Sequence, residues 1–486
     1  MKRMRWLALI AIFSLLAVAC SAAEEAAETA TDAAGEVTEE VEEAVDGDDD
    51  EEEEAMEDEE EEAMEDEDGE EAGGDVVPAS TDFGANDEAI RVGLSADLSG
   101  PFAGLTSVIV QAQEAYFDRV NENGGIGGRE VELVTLDNAY EVPTQLDNYA
   151  ELAEESEDGV VMISQSTGSP HTTAIAEDLE NDDLIAIPLS WYSGWATELG
   201  TNVFELYTNY CFESMNGVEF LAEQSGIDSP TVAIVSRPGE YGQDGAAGAR
   251  IAAEALGLEI VVDLEGAIAG EDFTPVISEL VAGSPDIVWI TSAPGELAQI
   301  LGGAAAGGLQ ALWSGNSPSY NVALLDTAVA PALDAFYFHS SYAALWDSND
   351  SPGMQDMVAE LQARIPDGNF AQADTYVLGW TEAIFTEAVL QQATDNGDLT
   401  RAGVVAAANE VEVDFQGLAP SQTWQGDPND FAIRASFIYD VVLADATITA
   451  PITGEGSSGL SVVRDNFTGD VAAGFEFTEA CFLSEG

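Results

Sequence analysis

Lysine and histidine are almost missing from this chain of 486 residues. The only lysine is Lys2, and histidine occurs only at positions 171 and 339. A Walker-type phosphate loop and a pyridoxal Schiff base both need a lysine amine, so neither can form beyond the N-terminus. Two histidines are too few for a three-histidine zinc site, and no Gly-x-Ser-x-Gly motif occurs. We therefore predict that the protein is not an enzyme and uses neither a metal nor another cofactor.

Basic residues and long apolar runs are also scarce. The chain has 12 lysine and arginine residues against 94 aspartate and glutamate residues, which gives a formal net charge of -82. Such a surface argues against nucleic acid and anionic lipid as partners, and it indicates a saline habitat in which counterions screen the repulsion. Beyond residue 20, no apolar run reaches the roughly 18 residues that suggest a membrane-spanning helix.

The N-terminus has the pattern of an export signal. Lys2, Arg3 and Arg5 precede an apolar stretch over residues 6–18, and Ala19-Cys20 follows at once. We predict a lipoprotein signal peptide over residues 1–20, with lipidation at Cys20; ordinary secretion with an incidental cysteine is the alternative. A lipid on Cys20 would be the only attachment to the membrane, on its extracytoplasmic face.

Only two cysteines follow Cys20. In an exported protein, Cys211 and Cys481 are expected to pair, because the compartment is oxidising. The alternative is two separate buried thiols.

Residues 21–80 differ from the rest of the chain in composition. They hold 30 of the acidic residues, no lysine or arginine, and two copies of Glu-Glu-Ala-Met-Glu-Asp-Glu. Such a segment cannot bury enough apolar surface to offset the entropy of ordering it, and its charges repel each other. We predict a disordered, extended tether; capture of cations is a weaker alternative, because scattered carboxylates bind Ca²⁺ poorly.

The folded part begins with a strand followed by a helix. Residues 90–96 are continuously apolar, a break follows at Ser99-Gly100-Pro101, and apolar residues recur at helical spacing from 105 to 120. A strand this apolar belongs in a parallel sheet that helices cover on both faces. Ligands of open α/β folds bind at the carboxyl ends of such strands, so residues 99–104 are a candidate contact.

The same alternation of strand and helix continues and then starts again. Strands are predicted at 131–136, 159–164 and 184–188, and a second series begins with a strand at 231–235. Alternation that resumes after a break implies two similar lobes, each with its own parallel sheet.

A family resemblance rests on three stretches of the first lobe. The run over residues 93–104, the turn Asn123-Gly124-Gly125-Ile126-Gly127-Gly128-Arg129 and the strand over 131–137 resemble the opening of the branched-chain amino-acid type of solute-binding protein. The resemblance extends over roughly residues 89–443. It implies an α/β type I periplasmic-binding fold, in which two lobes, each a three-layer sandwich around a parallel sheet, are joined by a multi-strand hinge. It also implies that the lobes close on a small molecule and deliver it to an ABC permease.

On this resemblance we expect a monomer in which each lobe is built from two separate stretches of the chain. The N-terminal lobe is assigned to residues 81–205 and completed by about 315–340, and the second lobe to residues 206–314 and completed by about 341–443. A hinge is expected near 199–206 and 315–335, and residues 444–486 are left as a C-terminal tail.

The resemblance also assigns ligand contacts to this sequence. Hydroxyls and amides that would hold a ligand carboxylate fall on Ser166, Thr167, Gly168, Ser190 and Trp191. Acceptors for an ammonium group would be Glu240 and Glu296, and the apolar part would meet Phe102 and Tyr241. Ser166 and Thr167 could instead cap a helix, and Glu240 and Glu296 could be surface charges.

Two rings depart from the family pattern. Trp191 and Tyr192 stand where small residues are usual, so they either reshape the cleft or pack at the lobe interface. An amide, a urea-like compound, an aromatic acid or a small peptide therefore stays open beside a plain amino acid. Two other functions also stay open: a ligand-sensing receptor domain, and a surface adhesion or structural lipoprotein.

Overall fold

The computed structural model describes residues 76–197, 202–366, 373–447 and 457–483. The predicted signal peptide, the lipidation site Cys20 and residues 21–75 of the predicted tether lie outside this part of the chain. Among the described residues, no helix combines the length and the apolar character that crossing a membrane requires.

The first lobe is built on a four-stranded parallel sheet. Its strands are β1 (Ala89–Ala96), β2 (Glu130–Asp137), β3 (Met162–Thr167) and β4 (Ala186–Leu189), in the order β2-β1-β3-β4. In the middle strand, Val92 is paired with Leu133 of β2 and with Met162 of β3. Ile90, Val92 and Leu94 are completely buried. The apolar run therefore has the two-sided cover that its composition predicts.

Three helices connect these strands. They are α1 (Ala103–Glu122), α2 (Val142–Leu152) and α3 (Ser169–Asn181). The glycine tract after α1 makes the turn into β2, as expected. Gly125 has a φ of 68°, and a Cβ there would lie 1.9 Å from the main-chain oxygen of Arg129, so no other residue fits this turn.

The second lobe repeats the plan. Helix α4 (Tyr210–Ser225) leads into a parallel sheet of β5 (Val232–Ser236), β6 (Ile260–Leu264), β7 (Ile287–Thr291) and β8 (Leu312–Gly315), in the order β6-β5-β7-β8. The connecting helices are α5 (Gly239–Leu256), α6 (Thr274–Gly283) and α7 (Pro294–Ala306). The prediction of two α/β lobes with parallel sheets is confirmed.

The remaining elements complete both lobes. They are α8 (Ala330–Phe336), β9 (Phe338–Ser341), α9 (Pro352–Arg364), α10 (Ala373–Asn396), α11 (Arg401–Glu410), α12 (Pro428–Phe431), β10 (Ser436–Val441), β11 (Leu460–Phe467) and α13 (Asp470–Gly474). The strands β11-β10-β9 form an antiparallel sheet, and a bridge from Trp313 to Tyr337 links this part to β8.

The later segments of the chain do not complete the lobes to which they were assigned. Residues 313–337 belong to the second lobe, where Trp313 and Tyr337 lie in its core. Helix α10 belongs to the first lobe and packs on α1, with the rings of Trp380 and Tyr116 4.8 Å apart. The assignment of about 315–340 to the first lobe is therefore wrong. Most of the segment of about 341–443 belongs to the first lobe and not to the second, whereas its end, which includes β10, belongs to the second. Both segments carry apolar faces, and the sequence does not say which lobe covers them.

The chain passes between the lobes near residues 203–209, 341–343 and 424–435. The first and third of these crossover segments lie side by side, because Thr208 and Ile433 form a parallel bridge. The expected hinge at 315–335 lies within the second lobe instead. Of the other expected hinge, at 199–206, residues 199–201 lie outside the described part, and residues 203–206 belong to the first crossover segment.

The C-terminal segment is held by covalent and polar contacts. The sulfur atoms of Cys211 and Cys481 are 2.01 Å apart, so the expected disulfide is present and closes a loop between residues 270 positions apart. The hydroxyl of Tyr192, in the first lobe, donates to the main-chain oxygen of Phe482 at 2.6 Å. The predicted tail thus includes β11, α13 and a segment in contact with both lobes.

Candidate functional site

A cleft opens where the strand ends of the two lobes face each other. Thr167 ends β3 and Leu189 ends β4, while Phe102 and Tyr140 follow β1 and β2. From the second lobe come the first turn of α5 and the loop after β8, and α4 and α10 complete the walls. The cleft holds about 590 Å³ of empty space, part of it open to solvent. The carboxyl ends of parallel strands therefore meet at one site, as the topology requires.

Aromatic rings form a connected wall across the cleft. Phe102 lies 4.7 Å from Tyr140 and 6.2 Å from Tyr241, measured between ring centroids. Tyr241 lies 4.7 Å from Tyr210, which lies 6.0 Å from Trp191. Rings from both lobes are thus in contact, and a ligand in this cleft would meet mostly apolar surface.

The polar part of the cleft is the start of α3. Gly168 precedes the helix with a φ of 104°, and a Cβ there would lie 2.3 Å from Nδ1 of His171, so the position needs glycine. The ring of His171 lies 4.5 Å from that of Tyr140, and burial lowers the pKa of His171, which leaves the imidazole neutral at pH 7. The first amides of a helix have no partner within it, so this end can receive an anionic or carbonyl oxygen.

Buried polar contacts fix the strand ends behind the cleft. The side chain of Asn138 donates to the main-chain oxygen of Thr167 at 2.9 Å. Gln145 donates to Oγ of Ser166 at 3.2 Å, and that hydroxyl also lies 2.8 Å from Oγ1 of Thr172. These contacts hold the loop before α3 in place without using the groups that face the cleft.

A buried carboxylate holds the loop that the second lobe contributes. Glu213 accepts from the main-chain amide of Ser317 at 3.0 Å and from Nδ2 of Asn316 at 2.8 Å. Burial raises the pKa of Glu213 to about 7, against the effect of these hydrogen bonds. Ser317 lines the cleft, so the position of this wall depends on Glu213.

Arg237 reaches from the second lobe towards rings of the first. Its guanidinium carbon lies 5.5 Å from the ring centroid of Phe102 and 5.5 Å from that of Tyr140. The same guanidinium pairs with Glu296 at 2.9 Å, within the second lobe. Arg237 therefore stabilises the approach of the two lobes at the edge of the cleft.

Sequence comparison identifies the family of this two-lobed protein. A model of the periplasmic binding protein family matches residues 89–446. The chain belongs to this family. No curated protein sequence matches the chain.

Solved structures share the fold over most of the chain. A fatty acid ABC transporter substrate-binding protein from Thermomonospora curvata is 25% identical, with a TM-score of 0.71, and the match covers 82% of this chain and 97% of that one. A branched chain amino acid ABC transporter protein from Thermus thermophilus, solved with valine, is 19% identical with a TM-score of 0.65 and coverages of 79% and 98%. A solute binding protein from R. palustris, solved with 4-hydroxybenzoate, is 17% identical with a TM-score of 0.62 and coverages of 78% and 96%. The resemblance seen in the sequence is confirmed for family and fold.

Five of the ten ligand contacts expected for this periplasmic binding protein line the cleft. They are Phe102, Thr167, Gly168, Trp191 and Tyr241. The other five lie elsewhere: Ser166, Ser190, Tyr192, Glu240 and Glu296.

Three of these five lie outside the cleft because neighbouring residues of an extended chain face opposite sides. Thr167, Leu189 and Trp191 face the cleft, so Ser166, Ser190 and Tyr192 point the other way. Ser190 lies 2.6 Å from the hydroxyl of Ser169, and Tyr192 turns towards Phe482.

The two glutamates expected to receive an ammonium group do not line the cleft. Glu296 pairs with Arg237 and accepts from the amide of Ala293 at 2.7 Å, which starts helix α7. Glu240 is buried in the first turn of α5, beside the lining residue Tyr241. Among the described residues, no charged side chain lines the cleft of this periplasmic binding protein, and no cluster of histidine, cysteine or carboxylate side chains could hold a metal.

Several lining residues were not predicted. Tyr140 follows β2 in the way that Phe102 follows β1, so the rule of strand ends could have found it. Thr375 and Leu378 come from α10, and no local signal in the sequence assigns that helix to the cleft. The other unpredicted lining residues are Leu105, Thr106, Ile109, Ser169, Leu189, Tyr210, Ser317, Pro318 and Tyr320.

Proposed function

We propose that the protein is an extracytoplasmic solute-binding protein that captures a small molecule between its lobes and delivers it to an ABC permease. The observation that supports this function is a cleft to which the strand ends of both parallel sheets contribute. A lipid on Cys20 would hold the protein at the outer face of the cell membrane. A ligand that contacts both lobes would favour their closed arrangement, which a permease can recognise.

The lining of the cleft supports a ligand with an apolar body and one small polar head. Rings and aliphatic side chains form most of the wall, and the hydroxyls of Thr167 and Ser169 lie at the start of α3. The head would be a carboxylate or an amide, whose oxygen the first amides of α3 and these hydroxyls can hold. The ammonium group of an α-amino acid would find no carboxylate among the described lining residues, and its desolvation would be costly. We therefore favour a carboxylic acid or an amide over an amino acid.

A similar protein supports this choice of ligand. The substrate-binding protein from Thermomonospora curvata is named for fatty acid, a carboxylate attached to an apolar chain. Its cleft and the present one need not accept chains of the same length, so the ligands to be tested should span short aliphatic and aromatic acids.

A thermal-shift screen with matched pairs of ligands tests the proposal. In each pair the two compounds share a carbon skeleton, and only one has the ammonium group: 4-methylpentanoate against leucine, and 3-phenylpropanoate against phenylalanine. The purified protein is screened in high salt, and hits are titrated by calorimetry. We expect the deaminated member of a pair to raise the melting temperature and the amino acid to leave it unchanged.

Two failures of this screen have different meanings. If the amino acids bind and the deaminated acids do not, the ligand class is wrong and the solute-binding function stands. If no compound from a wide panel of acids, amides and amino acids binds, the solute-binding function itself is refuted.

Delivery to a permease is tested in cells. Uptake of the radiolabelled ligand should be lost when the gene is deleted and restored by the full-length chain. Unchanged uptake, together with ligand binding in vitro, would favour a sensing receptor over a transport component.

A further inference from the structure

A second cavity lies at the crossover segments, away from the ligand cleft. Among the described residues it is lined by Trp195, Ala196, five residues between 203 and 209 and seven between 422 and 433, and it holds about 670 Å³ of empty space, part of it open to solvent. It shares no lining residue with the ligand cleft. We call it the crossover cavity.

Glu205 lines the crossover cavity and has a buried carboxyl oxygen that lacks a hydrogen-bond partner. The residue is 7% exposed, and its Oε1 atom is buried without a hydrogen bond. No ion pair in the described part of the chain involves Glu205. Leaving a buried acceptor unpaired costs free energy, so a ligand that donates a hydrogen bond to this oxygen would be stabilised.

Two nearby side-chain donors bind the main chain of Glu205 and not its carboxyl group. Nε2 of Gln422 and Nε1 of Trp424 both donate to the main-chain oxygen of Glu205, at 3.0 and 2.7 Å, and leave its carboxyl group unsatisfied. Gln422 also accepts from the amide of Tyr207 through its Oε1 atom at 3.3 Å. Burial, and to a lesser extent the charge of Asp244, raises the pKa of Glu205 well above its ordinary value, as expected for a carboxyl group without a compensating cation.

Aromatic residues line the same cavity as Glu205. They are Trp195, Phe204, Tyr207, Trp424 and Phe431, and no lysine or arginine is among the described lining residues. Rings attract cations through their negative faces, and a carboxylate among rings is a combination that selects a cation with an apolar part. A hard metal ion would need about six or more oxygen ligands, whereas Glu205 is the only carboxylate among the described lining residues.

We infer that the crossover cavity is a second binding site, which takes a small protonated alkylamine. The ammonium group would donate to the carboxylate of Glu205, and the alkyl chain would lie against the rings. This site requires nothing of the ligand cleft, so it stands whether or not the proposed transport function holds. Because the cavity joins two of the crossover segments, a bound amine would contact the part of the chain that moves when the lobes close.

Calorimetry with n-propylammonium chloride tests this inference. The full chain is titrated at constant ionic strength, with sodium chloride as the charge control and 1-propanol as the neutral compound of the same size. Tryptophan fluorescence gives a second readout, because Trp195 and Trp424 line the cavity. We expect saturable binding of n-propylammonium and none of 1-propanol.

Three variants make the result specific. Glu205→Gln keeps the shape of the side chain and removes its charge, and it should weaken binding at least tenfold. Phe431→Leu removes one ring and should weaken binding about two- to fivefold. Glu223→Gln, an exposed position paired with Arg464, should bind as the unchanged protein does.

The inference is overturned if the unchanged protein binds n-propylammonium no better than 1-propanol, or if Glu205→Gln binds it equally well. Circular dichroism shows whether each variant is folded. Should Glu205→Gln not fold, Phe431→Leu decides: equal affinity with the unchanged protein would then refute the site, and a two- to fivefold loss would support it.

Discussion

Replacing Arg237 with methionine should weaken ligand binding about 5- to 30-fold. Arg237 belongs to the second lobe, and its guanidinium lies over Phe102 and Tyr140 of the first lobe, at 5.5 Å from each ring centroid. When the lobes separate, these two contacts are lost. The pair with Glu296 remains, because both residues belong to the second lobe. Arg237→Met therefore destabilises mainly the closed arrangement of the lobes.

The magnitude follows from the two rings. A cation over a ring contributes about 0.5–1 kcal/mol at an exposed site, so two rings give about 1–2 kcal/mol. The side chain of Arg237 is 19% exposed, so solvent screens it only partly. Methionine keeps much of the aliphatic contact and removes the charge. Since about 1.4 kcal/mol corresponds to a tenfold change in affinity, the loss is about 5- to 30-fold.

Calorimetry with the acid identified by the thermal-shift screen measures this effect. The matched control is Arg250→Met, because Arg250 also belongs to the second lobe and pairs with Asp263 at 2.7 Å but contacts no ring of the first lobe. Equal affinities of the two variants would refute the role of Arg237 in closure. Small-angle scattering should also show that ligand compacts the Arg250 variant at lower concentrations than the Arg237 variant.

Three further predictions concern the cleft, the disulfide and pH. Thr167→Val should weaken ligand binding by about 1–3 kcal/mol in calorimetry, because it leaves a buried ligand acceptor unpaired; an unchanged affinity would remove Thr167 from the site. Replacing Cys211 and Cys481 together with serine opens a loop of 270 residues and should lower the free energy of urea unfolding by about 2–5 kcal/mol, and a difference near zero would show that the bond adds no stability. Because burial raises the pKa of Glu213 to about 7 in the folded state, the folded protein binds more protons than the unfolded chain between about pH 4.5 and 7, and stability should fall as pH rises through this window. Glu213→Gln should reduce that fall by up to about 1.4 kcal/mol per pH unit, and an identical pH profile would contradict this.

Local patterns were sufficient to predict the parallel strands of the first lobe and the strand with which the second series begins. Continuous apolar runs such as Ile90 to Ala96 require cover on both faces, which only a parallel sheet with helices provides. The assignment of later segments to lobes was wrong, because packing between α1 and α10 is a contact between distant parts of the chain. An amphipathic helix shows that it needs a partner, and its sequence does not say which one.

The candidate site was predicted at the right strand ends and with partly wrong side chains. Trp191 and Tyr192 are treated alike in the sequence analysis, as two rings at the cleft. Neighbouring residues of an extended chain face opposite sides, however, and only Trp191 lines the cleft. Gly168 precedes α3, and the Ser169 hydroxyl lies 2.6 Å from that of Ser190. Helix α5 begins at Gly239, which places Tyr241 in its first turn, where it lines the cleft.

The packing of α1 against α10 also affects how the protein is made. About 250 residues separate the end of α1 at Glu122 from the start of α10 at Ala373. At about 5–20 residues per second, a ribosome needs roughly 10 to 50 s to synthesise that stretch. During this time the apolar side of α1 has no native cover, so a chain of this topology exposes that side until its partner helix has been synthesised.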